Sequence, residues 1–310
     1  PEGDISFDEG YITEERGDNA NITINFQGDI ETGYLTIGDE EDVSYEVNVT
    51  VDSGGEDSVT LGFNTYAAGN TTDYGPESDL VTVVDDDSDA EVTSVTETPD
   101  DLPRILATGT YPLYLSSESF DANANDNSDA VGDLELEQRS VDEFQLWTTS
   151  TDVFEDVENA NDIANGVEND TVVQTDSLTE GDVLVHQLSS TGLEGIIASG
   201  VDKKQVDAGA EGILSVLTTQ GEEDEGIDLR IRQTSDSTAP NAERKVVDVG
   251  SMVQDGDIDV ISSGDTYYLA FDASEIELST GDSVDDVDAF EVRLRVKDRR
   301  LLDPSQDDLD

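Results

Sequence analysis

Residues 33–70 read GYLTIGDEEDVSYEVNVTVDSGGEDSVTLGFNTYAAGN, and the pattern within them decides the fold. Tyr45, Val47, Val49 and Val51 alternate with polar residues, and so do Val59, Leu61 and Phe63. Period-two alternation describes strands with one face in a core and one in solvent. The connection Asp52-Ser53-Gly54-Gly55-Glu56-Asp57 carries two glycines, so this reading predicts that the two runs pair as an antiparallel hairpin.

The same alternation recurs outward along the chain, in ANITINF (20–26), DVLVHQL (182–188), DTYYLAFDAS (265–274) and AFEVRLRVKD (289–298). Strands are predicted over 4–7, 19–26, 33–37, 42–51, 58–65, 80–84, 91–96, 110–116 and 132–139. Their number and spacing match an immunoglobulin-like β-sandwich over residues 1–140. Leu106, Gly109, Tyr111, Leu113 and Leu115 fit the pattern L-x-x-G-x-Y-x-L-x-L, in which the tyrosine hydroxyl bonds back to upstream backbone. Pro112 belongs at an edge or bulge, because it lacks a ladder donor.

Residues 141–300 read as a second β-rich domain with one or two short helices, and residues 301–310 as an acidic tail that frays. Strands are expected at 144–147, 182–188, 227–233, 245–249, 258–261, 266–271 and 289–297. Val153, Phe154, Val157, Ala160, Ile163 and Ala164 recur at helical spacing, predicting one amphipathic helix over 153–167. A short helical turn follows Gly192. Residues 212–217 read equally as helix or strand.

Seventy-six acidic residues against fourteen Lys and Arg give a formal charge of −62, with 35% hydrophobic residues. Such a balance ordinarily marks disorder, yet the alternation demands a fold. Salt resolves the conflict: the screening length falls to about 3 Å at 1 M, so multimolar salt mutes repulsion between surface carboxylates. The acid excess therefore reads as a halophilic surface. It disfavours a nucleic-acid partner, which needs a basic patch. No cysteine is present, which excludes disulfides and thiolate chemistry. No apolar run is long enough to span a membrane, and the chain reads as a processed piece of a longer precursor.

His186 is the single histidine and sits in an alternating strand, where a structural or solvent-facing ring is expected in place of a triad or metal cluster. Structural calcium is the cofactor the composition favours, since hard cations take several loop oxygens. The candidate ligands are Asp85, Asp87 and Asp89; Asp121, Asn123 and Asn125; and Asp255, Asp257 and Asp259. The middle loop fails as an EF-hand, with Asp126 where glycine is required and Gly132 where a bidentate acid is required. Four N-x-S/T acceptors begin at Asn21, Asn48, Asn70 and Asn169. Arg16-Gly17-Asp18 reads as a turn.

The runs Thr13–Asp18, Tyr34–Gly38, Tyr45–Thr50 and Val59–Tyr66 resemble the β-rich core of haloarchaeal BGTF-type, S-layer-like surface proteins. Glu137–Ser140, Trp147-Thr148 and Gly181–Leu188 resemble the same proteins. The resemblance implies a secreted, extracellular cell-surface glycoprotein without catalytic residues. The expected function is structural: a coat component or filament subunit that self-associates in high salt, with divalent cations bridging carboxylates. The alternative is an adhesin or glycan-binding module, for which Tyr34, Tyr267 and Tyr268 are the candidate aromatic platform.

Overall fold

A computed structural model describes residues 4–69, 79–85, 87–120, 128–174, 179, 181–199, 227–234, 244–279, 281, 283–284 and 288–296. The chain forms two compact units: Pro1–Ser140 with Thr191–Ser199, and Val141–Ser190 with Gly200–Asp310. The protein is mainly β, as the alternation predicts.

In the first unit the strands are β1 (Asp4–Phe7), β2 (Tyr11–Glu15), β3 (Asn19–Gln27), β4 (Thr32–Asp39), β5 (Tyr45–Asp52), β6 (Ser58–Asn64), β7 (Val81–Val83), β8 (Glu91–Thr98), β9 (Gly109–Ser116) and β10 (Ala130–Glu137). They make a four-stranded sheet, β1-β3-β6-β7, and a six-stranded sheet, β2-β10-β9-β4-β5-β8. Ile22, Ile24, Leu61 and Phe63 from the first sheet share one buried core with Leu35, Val47, Val49 and Leu113 from the second. The pairing is antiparallel except between β2 and β10.

One pairing differs from the sequence reading. β5 and β6 are not a hairpin: β5 pairs with β4 and β8, whereas β6 pairs with β3 and β7. The five-residue connection, Ser53–Asp57, crosses from one sheet to the other. Ser53 is buried at the crossing and donates its N–H to the Glu31 carbonyl at 2.7 Å. Gly54 has φ +61, and a Cβ there would lie 2.3 Å from the Asp89 carbonyl oxygen. Alternation fixes which face of a strand is buried but does not choose its neighbour, and two strands facing one core from opposite sides carry the same pattern.

Tyr111 does form the predicted corner, donating its hydroxyl to the Ala107 carbonyl at 2.9 Å. Burial pushes its pKa up to about 12. Pairing of β9 with β4 begins at Leu113, one residue beyond Pro112. The start of the predicted strand 42–51 is instead one helical turn, α1 (Glu40–Val43), capped by the Asp39 carboxylate.

The second unit holds the antiparallel sheet β11-β12-β15-β14, made of β11 (Val141–Ser150), β12 (Asp182–Ser190), β14 (Asp259–Ser263) and β15 (Thr266–Asp272). A separate ribbon pairs β13 (Ile227–Gln233) with β16 (Phe290–Val296). The helix expected over 153–167 is two helices, α2 (Thr151–Phe154) and α3 (Ala160–Glu168). The break follows from chemistry at Asn159, whose side chain caps α3 while Asp162 returns a bond to the Asn159 N–H, a reciprocal box that starts a new helix. Ile163 of α3 packs with Val183, Val185 and Ala270 of the sheet, and Trp147 and Phe154 pack against this cluster. After Ser190 the chain forms α4 (Glu194–Ser199) within the first unit. Residues 245–249 are not a strand but two isolated bridges at Val246 and Val247, leading into α5 (Val249–Asp255), which Asp248 caps. Residues 212–217 and the acidic tail lie outside the described residues.

Candidate functional surface

The acceptor asparagines occupy unlike settings. Asn21 is exposed on β3, with Gly62 as its cross-strand partner on β6, so no side chain rises beside it on that strand. Asn48 is half-buried in the six-stranded sheet, between Thr36 of β4 and Thr96 of β8. Both ends of its amide are engaged: Oδ1 accepts from the Thr36 hydroxyl at 2.7 Å, and Nδ2 donates to Glu46 at 2.7 Å. Asn169 is exposed at the end of α3, where Nδ2 donates to the Asn165 carbonyl at 2.8 Å. Asn70 lies outside the described residues.

Asp85, Asp87 and Asp89 line an exposed turn in which Asp85 accepts from the Asp87 N–H at 3.0 Å. Glu56 organises the rest of that turn, accepting from the Ser88 hydroxyl and the Asp89 N–H. Asp255 is exposed at the end of α5, Asp257 is half-buried and Asp259 is exposed on β14. Asp121, Asn123 and Asn125 lie outside the described residues. Among the described residues, the one group of three acids whose ligand oxygens all lie within 4.8 Å of one another is Glu14, Glu15 and Asp18.

That group belongs to a buried polar knot the sequence reading did not foresee. Arg16-Gly17-Asp18 is a turn, as read, but Arg16 and Asp18 are buried. The Asp18 carboxylate accepts from the Gly192 N–H at 2.6 Å and the Glu194 N–H at 3.0 Å, fastening residues 191–199 as a strap. Thr65 donates its hydroxyl to the Asp18 carbonyl at 2.7 Å and accepts from the Gly17 N–H at 2.7 Å. Gly195 donates to the Gly17 carbonyl, and its own carbonyl accepts from Asn64. No side chain fits at Gly195, where a Cβ would lie 2.5 Å from both Asn64 Oδ1 and the Gly17 carbonyl oxygen. Burial, with smaller contributions from the Asp18, Glu15 and Glu194 carboxylates, pushes the Glu14 carboxyl up to about 7. Burial also lowers the Arg139 guanidinium, which the Asp18 carboxylate opposes. Three carboxylates there can offer a cation three oxygens, but both oxygens of Asp18 already accept backbone donors.

His186 lies fully buried on β12, its ring stacked between Phe144 and Phe271 with centroids 6.1 and 5.2 Å away. Among the described residues neither ring nitrogen finds a partner of hydrogen-bond geometry. Burial drives its pKa down from 6.5 to about 4, the adjacent Leu269 backbone opposing only in part. The ring is a neutral core residue. Tyr267 is buried, Tyr268 is packed against the Trp147 cluster, and Tyr34 meets Phe120 edge-on at 5.1 Å.

No helix among the described residues is long and apolar enough to cross a membrane. Residues 1–118 match a family described as "Domain of unknown function (DUF7827)". The chain is 33% identical over 306 residues to a cell surface glycoprotein of Haloferax gibbonsii, covering 94% of this chain and 30% of that protein. It is 25% identical over 324 residues to cell surface glycoprotein 2 of Haloarcula hispanica, covering 98% of this chain and 33% of the relative. Cell surface glycoprotein 1 of the same organism is 26% identical over 304 residues, covering 91% and 31%. The chain thus spans about a third of the length of these curated relatives. An acid-coated β-sandwich with a strapped end and a second β-rich unit is therefore a homologue of the haloarchaeal cell surface glycoproteins.

Proposed function

We propose that this chain is a structural segment of an extracellular, S-layer-like surface coat, non-enzymatic and assembled from copies of itself in high salt. The observation that carries the reading is the alignment of nearly the whole chain, both units included, with proteins named for the cell surface. The charge of −62 supports a working environment of concentrated salt, where carboxylates screen one another. Divalent cations are the natural bridges between acidic faces that would otherwise repel. Asn21 is the acceptor best placed for a glycan, and Asn48 the worst of the three described, because its Nδ2 is held inside a hydrogen-bonded sheet.

Electron microscopy of the protein in multimolar KCl, with and without calcium and then chelator, tests the assembly. Ordered sheets or filaments that disperse on chelation or dilution are expected. Dispersed particles under every condition overturn the coat reading, and assemblies indifferent to chelator overturn the cation bridges. Mass spectrometry of glycopeptides from protein made in a haloarchaeal host should find occupancy at Asn21 exceeding that at Asn48. The reverse order defeats the assignment.

A further inference from the structure

We propose that the outer edge of β8 is where one copy of this chain pairs with a second, edge to edge and antiparallel, extending the six-stranded sheet across two molecules. The proposal rests on the coat reading above and supplies it with a specific interface.

An unpaired strand edge offers a row of free N–H and C=O groups, and proteins guard against edge pairing with charges, prolines, shortness or cover. The described edges differ in which guard they carry. β1 begins with Asp4, β2 bears Glu14 and Glu15, and β14 begins with Asp259; β7 has only three residues. β11 has an uncharged run, Phe144–Ser150, but its edge is covered: Thr148 and Val173 exchange N–H to C=O bonds at 2.8 and 2.9 Å. Gln174 further donates to Gln145 at 2.9 Å.

β8 carries such guards only at its ends, in Glu91 at its start and the Pro99 that follows it, and none along its middle. It spans eight residues, pairs on one side with β5, and among the described residues its other side bonds to no backbone. Thr93, Ser94, Thr96 and Thr98 are exposed hydroxyl side chains. Its one central acid, Glu97, points inward, where it is buried and accepts from the Tyr45 hydroxyl and the Gly69 N–H, both at 2.6 Å. The strand therefore presents Val92–Thr96 with no charge to solvent, in a chain with seventy-six acids.

That neutrality selects the partner. A cationic partner would be drawn to the acidic surface elsewhere, whereas another copy, itself strongly acidic, is repelled by every face except a neutral one. Antiparallel pairing centred on Thr96 sets Ser94 of each copy opposite Thr98 of the other, hydroxyl beside hydroxyl on the outward face. The same register brings Glu91 toward Asp101 at the two ends. Association should accordingly need salt concentrated enough to screen charges within a few ångströms.

The absence of cysteine gives a clean reporter. The full chain carrying Thr96→Cys, oxidised in multimolar KCl, should form a covalent dimer, because two-fold pairing at Thr96 brings the thiols within bridging distance. Thr13→Cys, exposed on the acidic edge strand β2, should stay monomeric under the same conditions. In sedimentation, Ser94→Glu with Thr96→Glu should weaken association at least tenfold, with unchanged thermal unfolding showing that the exposed substitutions leave the fold intact. Equal cross-linking at the two cysteines, or equal association of the glutamate variant, overturns the proposal. If coats form while Thr96→Cys fails to cross-link, the β8 edge is wrong and the coat reading stands. If no association of any kind occurs, both fall.

Discussion

In the first unit the buried carboxylate of Asp18 is ringed by donors, whereas in the second the imidazole of His186 is enclosed by benzene rings. The first arrangement keeps polar groups at depth by giving each a partner, and the second keeps one there by holding it neutral. Lys245 and Asp288 show that the second unit can also pair charge, at 2.6 Å with both side chains mostly covered. The difference teaches where each unit is vulnerable: the first to loss of a geometric fit, the second to protons.

The largest effect expected from this contrast is acid sensitivity of the second unit. His186 titrates near 4 when folded and near 6.5 when unfolded, so the unfolded chain binds more protons between those values. Stability is full above about 6.5 and falls as pH drops toward 4, by about 3 kcal/mol. Fluorescence of Trp147, the only tryptophan, reports this unit's denaturation midpoint at constant salt. His186→Leu should flatten the dependence, and a wild-type midpoint unchanged from pH 7 to 4 would break the comparison.

Next in size, Gly195→Ala should destabilise the first unit by about 2 kcal/mol, since its methyl group overlaps Asn64 and the Gly17 carbonyl. Amide exchange at Gly192 and Glu194 should accelerate while the Trp147 transition stays put. Movement of that transition instead would show that the strap does not act on the first unit alone. The smallest effect, because Glu14 is only half-buried and solvent screens much of its shift, runs opposite in pH to that of His186. Glu14 titrates near 7 folded against an ordinary 4.5, so the folded state holds the extra proton and stability declines as pH rises between those values. Glu14→Gln should remove this decline, read by amide exchange in β2. A wild-type first unit that gains stability over the same range would reverse the assigned sign.

The strands were largely legible because burial imposes period two on sequence: β5 alternates in burial along its length as its residues alternate in polarity. β2 escaped notice because Glu14, a carboxylate half withdrawn from water, breaks the apolar rhythm of Tyr-Ile-Thr-Glu-Glu. The tyrosine corner was legible because all its parts lie within a few residues of Tyr111. The sheet partners of β5 and β6, and the burial of Asp18, were not, because both depend on segments far away in the chain. A short Arg-Gly-Asp turn carries no mark of the glycine-bearing strap that covers it. The cover of β11 by Val173 was equally silent, since two residues exchanging backbone bonds leave no side-chain pattern.

The strap also imposes an order of events on folding. Asp18 and Gly192 are separated by 174 positions, and at synthesis rates of about 5–20 residues per second that gap takes on the order of ten seconds or more. For the last few seconds of that interval, once Arg139 has been made, the nascent sandwich holds an acid and two arginines at its end with their closing segment still unmade. Completion of the N-terminal unit is thus timed by the arrival of chain from beyond the second unit's first two strands.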